Sequence, residues 1–232
     1  MMTMIYKDGT YYDKNPTWHA EDSPWKAKHI VEILKKNDIA PNSICEIGCG
    51  AGDILSCLSD SFGKGVQLSG FEISPQAFEI CKKKEAENLH FHLESLFDGN
   101  EYTFDAILAI DVFEHVEDYF GFLRQVRRKA TYKIFHIPLD LSVQEVFRST
   151  PILVRRSKVG HIHYFTKETA LETLRDTGYE ILDYFYTSGC YELPHRGWKS
   201  DLISLPRKLF FQLHQDLTAR ILGGFSLLVL AK

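Results

Sequence analysis

The chain of 232 residues is poor in cysteine, carries no large excess of charge of either sign and has no long apolar run. Its five cysteines are an odd number without a CxxC pair, which argues against a disulfide framework and a zinc ribbon and for free thiols in a reducing compartment. Cys45 and Cys49 have no matching second pair, so small apolar filling is their expected use. A net charge of −4 excludes a broad basic face, and no nucleic-acid partner is expected. The longest apolar run, Leu227 to Ala231 with its neighbours, is too short to cross a bilayer. Met1 to Tyr12 is polar and aromatic where a secretory signal would be basic and then apolar, so a cytoplasmic location is expected. What remains, 44% hydrophobic and 25% charged residues, is the balance of an ordinary globular chain. At this length one domain with additions is expected, with a sizeable core.

What is present centres on Ile44-Cys45-Glu46-Ile47-Gly48-Cys49-Gly50-Ala51-Gly52-Asp53. A short apolar run meets three alternate glycines, and the helical pattern of Ile54, Leu55 and Leu58 follows at once. A strand, a glycine turn and a helix N-terminus form a nucleotide-sized cradle at the carboxyl edge of a parallel sheet. A second strand, Val66–Phe71, leads into Glu72, twenty residues after Gly52. That is the spacing at which an acidic side chain reaches ribose hydroxyls. The loop departs from the dinucleotide fingerprint, because Asp53 stands where glycine or alanine is required. Glu46 and Asp53 give the cradle a negative character that suits a cation better than a pyrophosphate.

These residues, together with Phe104-Asp105-Ala106-Ile107-Leu108-Ala109-Ile110-Asp111-Val112-Phe113-Glu114-His115-Val116, resemble a class I S-adenosylmethionine-dependent methyltransferase. The resemblance runs from about Ser43 to Tyr186 and includes the last strand. It implies S-adenosyl-L-methionine as cofactor, with S-adenosyl-L-homocysteine as product, and a small-molecule methyl acceptor. It further implies that Gly48, Cys49 and Gly50 approach the cofactor, that Gly52 opens the helix and that Glu46 orients the loop or meets the ammonium. By the same resemblance Glu72 takes the ribose hydroxyls, Ile73 stacks on adenine and Glu94 and Ser95 address its edge. Ile110 and Asp111 line the methionine end, and His115 serves loop structure and cofactor packing.

Alternating strand and helix patterns imply a doubly wound, mostly parallel α/β sheet. The expected strands are Ser43–Ile47, Val66–Glu72, Leu89–Leu93, Phe104–Ile110, Thr131–His136, Tyr179–Tyr186 and Phe225–Ala231. The resemblance supplies a seven-stranded Rossmann-like architecture with an antiparallel last strand. Ser23-Pro24 and Ser74-Pro75 signal helix starts, with serine as cap and proline at the first helical position, and Thr166 caps a third helix that runs to Gly178. The expected organisation is an N-terminal arm and cap helix over 1–42 and a methyltransferase domain over 43–232. Lid insertions fall at about 139–165 and 187–223, where long connections at a ligand edge are commonly functional.

The first insertion is basic, with no acidic residue from Phe147 to Gly160. Arg148, Arg155 and Arg156, with His163, are candidate contacts for an anionic acceptor such as a phosphorylated saccharide or a natural-product intermediate. The second holds His195, Arg196 and Trp198 and an amphipathic stretch over Leu209, Phe210, Leu213, Leu217 and Ile221, suited to a lid or a dimer contact. A monomer or a homodimer is expected. His136 and His161 are the candidate catalytic bases. His161-x-His163 with Asp140 is too weak a pattern to expect a metal. Two rivals stay open: a cofactor-binding module without catalysis, and a nicotinamide-dependent oxidoreductase.

Overall fold

Strand β4, Phe104–Ile110, explains the architecture because its run of apolar side chains has no polar face to offer water. Ala106, Ile107, Leu108 and Ala109 are all fully buried, and such a strand is stable only with helices on both sides of the sheet. The computed structural model of the chain describes residues 6, 8–18, 20–99, 101–193, 205 and 207–232. Within them β1 is Ser43–Ile47, β2 Gln67–Phe71, β3 Leu89–His92, β5 Ala130–Pro138, β6 Ile181–Thr187 and β7 Ser226–Ala231. They form one seven-stranded sheet in the order β3-β2-β1-β4-β5-β7-β6. All neighbours are parallel except β7, which runs antiparallel to both β5 and β6.

The two faces of the sheet bury separate clusters. On one, Ile107, Ala109, Phe135 and Val229 meet Phe122, Leu123 and Val126 of the helix Tyr119–Arg127 and Ala170, Leu171 and Leu174 of the helix Lys167–Asp176. On the other, Ile44, Leu68, Leu108 and Ile134 meet Ala27, Ile30, Ile33 and Leu34 of the helix Ser23–Lys36 and Leu55 and Leu58 of the helix Asp53–Phe62. Each helix brings an apolar stripe at a spacing of three and four residues, which is what a 3.6-residue repeat requires.

Helix starts follow the sequence in two cases out of three. Ser74 caps the helix Pro75–Cys81, its hydroxyl accepting from the amide of Ala77. Thr166 and Thr169 cap each other reciprocally at the head of Lys167–Asp176. Ser23 differs: it is the first helical residue, buried, and Asp22 occupies the cap position without a side-chain bond. The first insertion is also more regular than its composition suggests. It contains two short helices, Val143–Arg148 and Thr150–Lys158, separated by Ser149 in the left-handed region at φ 57°. The helix Gln215–Leu222 of the second insertion packs against Val143–Arg148. The apolar side chains of the amphipathic stretch stay in water, with Leu213 82% exposed. No helix among the described residues is long and apolar enough to cross a membrane.

The strand order reverses between β1 and its two neighbours, since β2 follows on one side and β4 lies on the other. Open α/β sheets bind ligands outside the carboxyl ends of their strands at such a switch point. The loops after β1, β2, β4 and β5 all converge there.

Candidate functional site

At that edge lies a cavity of about 730 Å³. The glycine loop forms its floor, and its path is set by backbone geometry. Gly48, Gly50 and Gly52 all have positive φ, a region that costs other residues strain. The amides of Gly48 and Cys49 both donate to the carbonyl of Phe71, which ties the loop to the end of β2. A Cβ at Gly50 would touch only Trp18, at 3.6 Å. At Gly52 it would come within 2.7 Å of Phe91 and 2.8 Å of Cys81. Gly50 therefore leaves room for a ligand, whereas Gly52 is needed for packing the helix onto the sheet.

Glu72 braces the loop. Its Oε2 accepts from the Gly50 amide at 2.8 Å, and Oε1 accepts from the amides of Ile73 and Ser74, each at 2.8 Å. Burial pushes its pKa up against these bonds. Glu46 is more exposed to conflict. It is 2% accessible, its Oε2 has no hydrogen-bond partner, and it borders the cavity. Burial drives its pKa well up; Lys26 opposes that, and Glu72 and Asp53 add to it. Asp53 is held by Lys84 at 2.6 Å.

Asp111 ends β4 in the left-handed region, φ 54°. Lys26, from the helix Ser23–Lys36, reaches its Oδ2 at 2.7 Å. His136 donates from Nδ1 to Oδ1 at 2.6 Å, and its Nε2 shares a hydrogen bond with the Thr187 hydroxyl at 2.8 Å. Burial alone would raise the Asp111 carboxyl, but His136 and Lys26 outweigh it and hold the group far below the ordinary carboxylate range. Both nitrogens of His136 are thus engaged. It holds Asp111 with one nitrogen and meets the Thr187 hydroxyl with the other.

His161 is arranged differently. Its Nδ1 donates to Asp140 Oδ2 at 2.5 Å. His115 donates from Nδ1 to the Gly160 carbonyl at 3.0 Å and packs edge-on against His161. Burial and the neighbouring His161 push the pKa of His115 down to about 4, so it is neutral above that. The Nε2 of His115 therefore keeps its lone pair, and His161 turns its Nδ1 to Asp140. His163, in contrast, donates to the Val116 carbonyl and lies on Tyr119, outside the cavity wall. The set His161, His163 and Asp140 is not assembled.

The remaining candidates divide. Cys49, Ile73, Ile110 and Asp111 border the cavity with Gly48 and Gly50, and Gly52 lies off its wall. Glu94 and Ser95 do not: the Tyr102 hydroxyl donates to Glu94, and the Ser95 hydroxyl accepts from the Phe97 amide. Arg148 and Arg156 are exposed and lie off the wall. Arg155 borders the cavity, but its guanidinium is committed to Glu145 at 2.6 and 2.7 Å and to Asp140 at 3.1 Å. The stretch from Phe147 to Gly160 has no acidic residue, and Arg155 finds its carboxylates earlier in the same insertion. His195, Arg196 and Trp198 lie outside the described residues.

Sequence reasoning passed over Lys26 and Glu114. Lys26 sits on the inner side of an otherwise amphipathic helix, which is a readable anomaly. Glu114 is an acid between Phe113 and Val116, and it is 1% exposed. The arm contributes Tyr6, Tyr11 and Trp18 to the wall. It is held down by Lys14 and Asn15, which donate to the carbonyls of Ser157 and Lys158.

A family profile described as a methyltransferase domain matches residues 18–184, more than half of the chain. Among curated proteins, a ubiquinone biosynthesis O-methyltransferase of Methylocella silvestris is 30% identical over 104 residues, 40% of either chain. A norajmaline N-methyltransferase of Rauvolfia serpentina is 30% identical over 135 residues, 52% of this chain and 45% of the relative. The chain thus spans less than half the length of these two relatives. Among solved structures, a magnesium protoporphyrin IX methyltransferase from Synechocystis, with bound S-adenosylhomocysteine, superposes with a TM-score of 0.60. The identity is 15%, covering 90% of this chain and 82% of that one. An N-methyltransferase from Bradyrhizobium japonicum, also with S-adenosylhomocysteine, gives 0.58 at 15% identity over 94% and 91%. At such identities the likeness is one of fold.

Proposed function

The chain belongs to the methyltransferase-domain family, and from that premise we propose that it moves a methyl group from S-adenosylmethionine to an oxygen or nitrogen of a small-molecule acceptor. The observation that carries this reading is the unpartnered Oε2 of buried Glu46 beside a glycine loop that borders the cavity. A buried carboxylate oxygen without a donor is costly, and a cationic ligand would repay that cost. A pyrophosphate would deepen it, which disfavours the nicotinamide alternative.

In this reading Gly48 and Gly50 let the backbone close on the ligand, and Glu46 faces its ammonium. Glu72 is already bound to three amides, so it holds the loop and offers its remaining lone pairs to ribose hydroxyls. Ile73, Ile110 and the Trp18 ring supply apolar contact. Asp111, fixed by Lys26 and His136, keeps a negative charge at the methionine end. The bound cofactor supplies an electrophilic methyl group, transferred by in-line displacement. The chain's own work is to align the acceptor and to exclude water. The arm residues Tyr6, Tyr11 and Trp18 serve the second task. At the acceptor end, the Nε2 atoms of His115 and His161 receive the acceptor's O–H or N–H hydrogen bond and orient its lone pair toward the methyl. Arg155, already neutralised by two carboxylates, adds no net positive charge there. An uncharged hydroxyl or amine acceptor therefore fits the wall better than an anionic saccharide.

Calorimetric titration with S-adenosylmethionine, S-adenosylhomocysteine and NAD tests the cofactor. Binding of the first two and not of NAD is expected, and tight NAD binding would overturn the reading. Methyl release with a panel of phenol, amine and sugar acceptors separates an enzyme from a binding module, which would bind without turnover.

A further inference from the structure

Beside the cofactor loop, the wall carries a group that the methyl-transfer reading does not require. Glu114, His115 and His161 each offer one ligand atom, and these atoms all lie within 4.8 Å of one another. Glu114 is 1% exposed and neither of its carboxylate oxygens has a hydrogen-bond partner. Its Oε1 lies 3.9 Å from His115 Nε2. Two ligands of a first-row metal ion, each about 2.0–2.2 Å from it, stand up to about 4 Å apart across the ion. The spacing is that of ligands around an absent centre and too long for a direct hydrogen bond.

The outer contacts are those of a metal site as well. His161 donates a hydrogen bond from Nδ1 to the buried Asp140, and His115 donates one from Nδ1 to the Gly160 carbonyl. Such partners fix the tautomer, leave Nε2 as the donor atom and raise its basicity. Asp140 is in turn held by Arg155 at 3.1 Å. This also explains why the one arginine on the wall is not free for substrate. Tertiary structure brings the ligands together from two places: Glu114 and His115 follow β4, and His161 follows the helix Thr150–Lys158. Ile162 and His163 clamp the two segments by donating from their amides to the Glu114 carbonyl.

We infer that Glu114, His115 and His161 bind one divalent first-row transition-metal ion, of the manganese, iron, cobalt or zinc type. Two imidazoles and one carboxylate leave coordination positions open. His115 and His161 border the cavity, so those positions face the acceptor and suit its oxygen atoms. The binding site stands without the methyl-transfer reading. Only the use of the ion, to hold and orient an acceptor oxygen in place of direct contact with the two imidazoles, rests on it.

The test is titration of the chelator-stripped full chain with MnCl2, following free Mn²⁺ by electron paramagnetic resonance. S-Adenosylhomocysteine affinity is measured calorimetrically on the same samples. The expected result is one bound Mn²⁺ per chain, weakened at least tenfold in His161→Ala and in Glu114→Gln while S-adenosylhomocysteine affinity changes less than about twofold. If either variant also loses S-adenosylhomocysteine, Asp140→Asn replaces it. That change of an outer partner is expected to weaken Mn²⁺ about 10–100-fold. Added Mn²⁺ should also raise the wild-type melting temperature, since it binds only the folded chain. No binding of Mn²⁺, Co²⁺ or Zn²⁺ by the wild type, or equal binding in the variants, would overturn the inference. Turnover that survives the chelator but falls in His161→Ala would refute the use of the ion to hold the acceptor, and would leave the methyltransferase reading intact.

Discussion

Replacing Lys26 by Met removes the cation that joins the roof helix to the end of β4 and keeps most of its apolar stem. The pair is close, 2.7 Å, and its side chains are 14% and 26% accessible. An exposed pair contributes about 0.2–1 kcal/mol, and breaking a buried one costs about 3–5 kcal/mol. This pair lies between those limits, and Asp111 keeps His136 as a second partner. A loss of about 1.5–3 kcal/mol is expected, which for a chain of this size lowers the melting temperature by about 4–10 °C. The pH dependence follows from the directions of the shifts. Asp111 is held below its unfolded value, so its contribution is present above about pH 4 and is lost as the pH falls through that range. Burial lowers Lys26, but Asp111 raises it further, to a net value above the unfolded one of about 10.4. Its contribution is complete below that pH and fades as the pH climbs through the folded value. The gap between wild type and Lys26→Met should thus be flat from about pH 5 to 9 and should narrow below about pH 4. Urea unfolding at about pH 3 and pH 7 measures it, and a cycle with Asp111→Asn isolates the pairwise part. A gap under about 0.5 kcal/mol at pH 7, or one that widens in acid, would refute the argument.

Glu46→Gln should weaken S-adenosylmethionine and S-adenosylhomocysteine to a similar degree, because both carry the ammonium that Glu46 faces. In the wild type the buried Glu46 is shifted upward, so affinity for the cation should rise with pH, with proton release visible as buffer-dependent heats in calorimetry. Gly52→Ala should destabilise by about 2–4 kcal/mol, from positive φ plus overlap with Phe91 and Cys81. Gly50→Ala should cost about 1–2 kcal/mol in urea but much more in ligand affinity. Arg155→Ala leaves the buried Glu145 and Asp140 short of their cation and should lower stability by about 2–4 kcal/mol. Arg156→Ala, at an exposed position, should stay within about 0.5 kcal/mol by thermal unfolding.

Three features of the chain were legible because each depends on local rules. The uninterrupted apolar run of β4 demanded cover on both faces, the alternate glycines demanded a turn, and Thr166 demanded a cap. The two helices in the first insertion escaped notice because 6 and 9 residues are too few to show a helical repeat clearly. Arg155 read as free because its partners, Glu145 and Asp140, become neighbours only after the segment folds back. His136 and His161 looked equivalent as bases, and only their partners separate them: Asp111 and Thr187 occupy both nitrogens of one, and Asp140 occupies a single nitrogen of the other.

The sequence by itself determined the sheet, the glycine loop, Glu72 and Asp111, since periodicity and backbone strain act over a few residues and are written in their order. Tertiary structure alone decided the charge states and pairings: Lys26 on Asp111, Arg155 on Asp140 and Glu145, and Glu114 between two imidazoles with no donor of its own. Electrostatic energy depends on distance and burial in space, and neither can be read along the chain.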